Sequence, residues 1–127
     1  KHRLPEQIID FIRTHHGTTT VGFFLSMQRR EDKLKINEDD FRYPGPIPFS
    51  KETAVLMLAD GVEAASRSLR THDALSINDL VDQIIDYKIA QNQLINADIT
   101  FKDITLIKKI FKKRLMTIYH ARIEYPV

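Results

Sequence analysis

Six apolar residues in a row, Ala54, Val55, Leu56, Met57, Leu58 and Ala59, run straight into Asp60. This constrains the fold more than any other stretch. A helix that is apolar around its whole circumference is a buried helix, and a carboxylate inside it is costly unless something meets it. The stretch from Lys51 to Leu69 therefore predicts a central helix with a buried Asp60 and a partner for it: a cation, a metal or a set of donors. Helical spacing brings Leu56, Met57, Glu63, Ala64 and Arg67 to the face of Asp60. Glu63 and Arg67 can pair at i,i+4, leaving Asp60 for another partner. The plainer alternative is an acid satisfied by a hydroxyl or an arginine.

The rest of the chain reads as helices around this one. Pro5 suits a first turn, Ile8, Ile9, Phe11 and Ile12 form an apolar face, and Gly17 stops a helix running from Lys1 to His16. Thr18 to Thr20 can cap a second, carrying Val21, Phe23, Phe24, Leu25 and Met27 to about Arg29 or Arg30. From Glu31 to Phe49 the periodicity fails. EDKLKINEDDFRYPGPIPF is charged, then rich in Pro and Gly, and is expected to be a long ordered loop, a class that often carries function. Ser50 caps the Asp60 helix. Ser76 can cap a fourth, with Ile77, Leu80, Val81, Ile84, Ile85 and Ile89 at helical spacing. Ile95 to Ile99 breaks it. Thr100 and Asp103 form a capping-box pattern before a last helix with Phe101, Ile104, Ile107, Ile110, Phe111 and Leu115 inside, and Pro126 closes the chain. No segment shows convincing period-two alternation, so the expected fold is all-α, about five helices with one long Pro/Gly-containing loop.

At 127 residues the chain has the length of one domain with a real core. A net charge of +2 is too mild to demand nucleic acid. The absence of cysteine rules out disulfides and thiolate metal sites within the chain. No apolar run approaches a membrane span, and no signal-peptide pattern stands at the start. The chain opens on Lys1 rather than Met, and is expected to be part of something longer.

His15 and His16 are the second anomaly. Neighbouring residues sit about 100° apart around a helix, so the pair cannot chelate one ion as an i,i+4 pair does. It could serve two adjacent ions, or one ion and a substrate oxygen. The structural alternative is two partly exposed histidines at the favourable C-terminal end of a helix dipole. Together with Asp60 they make an imidazole–carboxylate set that suits iron, manganese or zinc better than calcium, but too small a set for a two-metal centre. His72-Asp73 follows the Asp60 helix and reads as a turn with Asp73 near the next N-cap. In KKIFKKR, Lys108 to Arg114, Ile110 and Phe111 are expected to point inward and Lys108, Lys109, Lys112 and Lys113 mostly to water.

Four pieces of sequence resemble the cytoplasmic HD domain of the seven-transmembrane receptor HD hydrolases, the family that degrades cyclic di-AMP. They are HRLPEQIIDFIRTHHGT (His2 to Thr18), DFRYPGPIPFSKETAVLMLAD (Asp40 to Asp60), VEAASRSL (Val62 to Leu69) and HARIEYP (His120 to Pro126). They cover nearly the whole chain in order. The resemblance implies an HD-domain-like helical bundle and a binuclear metal phosphodiesterase, with His15, His16 and Asp60 as ligands of two divalent ions, iron or manganese foremost. The HD dipeptide and two more histidines are expected upstream, so residues 1–127 would be the C-terminal part of the domain, inactive in isolation. Two metals about 3.5–4 Å apart would activate a bridging water for in-line attack on phosphorus. Arg42 is then a candidate phosphate contact and Tyr43 a candidate for stacking on a purine or bonding a phosphate. The alternative for both is pinning the loop to the core. Gly61 stands where a small hydroxyl residue is expected, Ala121 where a proline is, and Val21 and Gly22 where an aromatic is commoner. The implied partner is a cyclic dinucleotide, with no nucleic acid and no membrane contact by this chain itself. The parent would be membrane-anchored with this domain in the cytoplasm, and a dimer is conceivable. The rival class is a nucleotide-sensing or interaction domain with a degenerate metal centre.

Overall fold

Ser50 and Thr53 start the helix on which the others pack. In this computed structural model, which describes residues 4–19 and 42–121, Thr53 N donates to Ser50 Oγ at 3.1 Å and Ser50 N to Thr53 Oγ1 at 3.3 Å. That reciprocal box satisfies two N–H groups that a helix start leaves without partners. The described residues hold four helices and no strand: α1 (Glu6–Thr14), α2 (Lys51–Ser66), α3 (Ala74–Ala90) and α4 (Phe101–Ala121). Helix α2 packs against the other three, and α1 packs against α2 alone. The expected helix around Val21 to Met27, loop residues 31–41 and Pro126 lie outside the described residues.

The core is built from one stripe of each long helix. Ala54, Met57, Leu58 and Val62 of α2 meet Ile77, Val81 and Ile85 of α3 and Ile104, Ile107 and Leu115 of α4, with Leu94 closing the α3–α4 connection. The spacing of three and four is that of a single helical face. Helix α2 is therefore not apolar all round. Leu56, Asp60 and Glu63 lie on its exposed side, so the expected burial of Asp60 does not hold. The expected Glu63–Arg67 pair is present at 3.2 Å.

Helix α3 begins three residues earlier than expected. Asp73 is its cap, with Oδ1 accepting from Ser76 N at 2.8 Å. Helix α4 begins as the sequence indicates: Thr100 N donates to Asp103 Oδ2 and Asp103 N to Thr100 Oγ1, each at 3.0 Å. Two of its expected core residues are outside the core, Phe101 at 87% exposed and Ile110 at 47%. Two of the four lysines expected in water tie α4 to α3 instead. Lys108 Nζ lies 2.6 Å from Asp86 and Lys112 Nζ 2.9 Å from Asp82. Helix α1 starts at Glu6, behind Pro5 at its N-cap. Its apolar face, Ile8, Ile9 and Ile12, is exposed rather than buried.

Candidate metal and phosphate site

The end of α1 is shaped by Gly17. Its φ of +51° is left-handed, the conformation that glycine adopts at least cost. The turn leaves His15 and His16 side by side with ring centroids 4.0 Å apart. His15 Nδ1 lies 3.0 Å from both Phe11 O and Ile12 O. Only a protonated nitrogen bonds to carbonyls, so Nδ1 carries the hydrogen and the lone pair sits on Nε2. This is the usual way a backbone carbonyl readies an imidazole for a metal.

His16 is held by a different neighbour. Its ring stacks on Tyr43 at 4.3 Å with the planes 12° apart. Its pKa lies below the ordinary imidazole value, first because desolvation penalises the cation and next because His15 stands beside it. The negative charge of Asp60 works in the opposite direction, and Lys88 adds to the lowering. Asp60 and His16 therefore feel each other's charge, and the structure brings the α1 end and the middle of α2 to one corner. Lys88, on α3, belongs to the same corner. Burial lowers its pKa and Asp60 partly restores it.

The loop that follows the undescribed segment is docked on the same turn. Tyr43 N donates to Thr19 O at 2.9 Å and Arg42 Nη1 to Thr18 O at 3.2 Å. Arg42 and Tyr43 are thus gathered with the histidines, as a piece of chain fastened to the turn. Beneath it lies Gln93, 1% exposed. Its Oε1 accepts from Thr18 N at 2.9 Å, and its Nε2 donates to Thr18 Oγ1 at 2.9 Å and to Gln91 O at 2.8 Å. Sequence reasoning missed both Gln93 and Lys88. Gln93 sits in a turn with no periodic pattern, and Lys88 looks like any lysine near a helix end.

The donors fit a divalent transition metal in kind: an imidazole whose Nδ1 is held by backbone carbonyls, a second imidazole that resists protonation, and a carboxylate. They fall short in number. Among the described residues no three His, Cys, Asp or Glu side chains are grouped so as to hold one ion. His72 and Asp73 stand apart from this corner. His72 stacks on Tyr119 at 3.7 Å and its Nε2 lies 2.9 Å from Ser66 O. Asp73 is occupied as a helix cap, so the HD dipeptide here is a structural joint. His120 belongs to the same joint, its Nε2 lying 3.1 Å from His72 O.

No protein-family model matches the chain. It is 41% identical over 125 residues to the cyclic-di-AMP phosphodiesterase PgpH of Bacillus subtilis, and 36% identical over 126 residues to the PgpH of Listeria monocytogenes. These alignments take in 98% and 99% of this chain and 17% of each relative. The crystal structure of the L. monocytogenes phosphodiesterase PgpH HD domain in complex with cyclic-di-AMP superposes with a TM-score of 0.86 at 34% identity. That superposition spans 91% of this chain and 54% of the other, so the chain corresponds to about half of the solved domain. In sequence along nearly its whole length, and in the course of its backbone, this chain is a homologue of the PgpH HD domain.

Proposed function

We propose that this chain is the metal-binding part of a phosphodiesterase domain that opens cyclic di-AMP to the linear dinucleotide. The likeness to the PgpH HD domain in complex with cyclic-di-AMP carries the reading. His15 through Nε2, His16 and Asp60 would hold divalent ions, iron or manganese, together with ligands beyond these three. Such a pair of ions supplies a hydroxide at neutral pH and polarises the phosphate. The chain's own part is to hold two imidazoles and one carboxylate at a single corner. Arg42, fastened to Thr18 O at that corner, is the cation we assign to a phosphate oxygen. Tyr43, with one ring face against His16, is the residue we assign to a purine or a phosphate. As the family resemblance implies, residues 1–127 would be the C-terminal part of an HD domain on the cytoplasmic side of a membrane-anchored protein. Among the described residues, no helix is long and apolar enough to cross a membrane.

That no three-donor group stands among the described residues favours one rival, a domain that binds the dinucleotide without cleaving it. Product analysis separates the two. The protein carrying this chain is incubated with cyclic di-AMP and Mn2+, with and without excess chelator, and the products are resolved by ion-exchange chromatography. A linear dinucleotide that forms only without chelator supports hydrolysis. Bound but uncut cyclic di-AMP with Mn2+ or Fe2+ present supports the sensor.

A further inference from the structure

The geometry points to Gln93 as the residue that positions the His15–His16 turn and, through it, the Arg42–Tyr43 stretch. The inference rests on the reading of this corner as a metal and phosphate site. Both hydrogens of Gln93 Nε2 are used, on Thr18 Oγ1 and Gln91 O, and Oε1 takes the Thr18 N–H. The amide can sit only one way round, since Gln91 O accepts and Thr18 N donates. The two bonds to Thr18 join segments 75 residues apart in the chain. Gly17 lets the amide approach: a Cβ there would run into Gln93 Oε1 and come within 2.9 Å of Met57 Cε. Asn92, at a φ of +61°, makes the sharp bend immediately before Gln93.

Two attachments of the loop run to Thr18, which Gln93 bonds, and to Thr19 beside it. Thr18 O receives Arg42 and Thr19 O receives the Tyr43 backbone. Gly45 lies so close that a Cβ on it would stand 3.2 Å from Thr18 Cγ2. A buried amide satisfied at every hydrogen is stiff, and its loss takes away the partner of Thr18 N, Thr18 Oγ1 and Gln91 O together. The His16–Tyr43 stack is thus held in register from below. Contacts made directly to a metal-ligating side chain typically contribute 10- to 100-fold to metal affinity, and Gln93 reaches His16 through Thr18.

The test compares Gln93→Met, which keeps the volume and removes the amide, with the milder Thr18→Ala and with the core truncation Val81→Ala as a stability control. Two quantities are read: the NOE between the His16 and Tyr43 rings, without metal, and Mn2+ affinity by electron paramagnetic resonance. Gln93→Met is expected to reduce the NOE by more than half and weaken Mn2+ binding about 10-fold, the low end of that range. Thr18→Ala should move both less, in the same direction, and Val81→Ala should lower stability while moving neither. A folded Gln93→Met protein with both quantities unchanged overturns the inference. Should that variant not fold, an unchanged NOE in Thr18→Ala does the same. If the unsubstituted protein binds no Mn2+, the metal reading fails, and the NOE still decides whether Gln93 positions the turn.

Discussion

His16 and Tyr43 lie ring on ring, centroids 4.3 Å apart and planes within 12° of parallel. The stack fixes an imidazole at the end of α1 against the loop bearing Arg42. If the ring face is what matters for order, Tyr43→Phe should keep the unfolding midpoint within experimental error. Tyr43→Ala should cost about 1 kcal/mol. Both are read by urea denaturation. A large loss of cyclic di-AMP turnover in Tyr43→Phe with stability intact would assign the hydroxyl a direct part in the reaction.

Gly17→Ala tests the turn itself. The left-handed φ and the collision with Gln93 Oε1 and Met57 act together. The expected loss is about 2 kcal/mol or more, again by denaturant titration. A loss below about 0.5 kcal/mol would mean that the turn relaxes without Gln93.

His72 and Tyr119 give a contrasting case. The His72 ring stacks on Tyr119, and Tyr119 Oη lies 2.9 Å from Ser66 Oγ. His72→Ala and Tyr119→Phe should each cost about 1–2 kcal/mol. Neither should alter Mn2+ affinity. A tenfold loss of metal affinity in His72→Ala would return the HD dipeptide to the metal site.

The lowered pKa of His16 fixes the sign of one pH effect. The unfolded chain takes up its proton near the ordinary value of 6.5, while the native chain resists until lower pH. In that window the unfolded state binds more protons, so stability falls as pH drops from 6.5 to the lowered native value, and this group adds no further loss below it. His16→Gln should flatten that part of the curve. Unfolding midpoints at pH 7.5 and pH 5 for both proteins check it; identical pH dependence would contradict the assignment.

Much of this arrangement is written in local patterns. The Thr100–Asp103 box, the Ser50 cap and the Glu63–Arg67 pair each depend on residues a few positions apart, and each is found; Gly17 makes its left-handed turn, but α1 ends at Thr14 rather than at the expected His16. The burial of Asp60 is not found, because an unbroken apolar run does not say which side of a helix has neighbours. Among the described residues, α2 packs through the Ala54–Met57–Leu58–Val62 stripe, and Leu56 and Asp60 look outward. The same limit explains Ile110, Phe101 and the α1 face. Gln93 and Lys88 were invisible for another reason. Their roles come from contacts across the whole chain, and neither has a spacing that announces it.

The most direct test of the account is cyclic di-AMP hydrolysis with Mn2+ by the protein carrying this chain, with Asp60 intact and as Asp60→Ala. The account predicts conversion to the linear dinucleotide by the first. In the second it predicts a fall of at least about 100-fold, with loss of bound metal. Turnover and metal content in Asp60→Ala equal to those of the unsubstituted protein would contradict it.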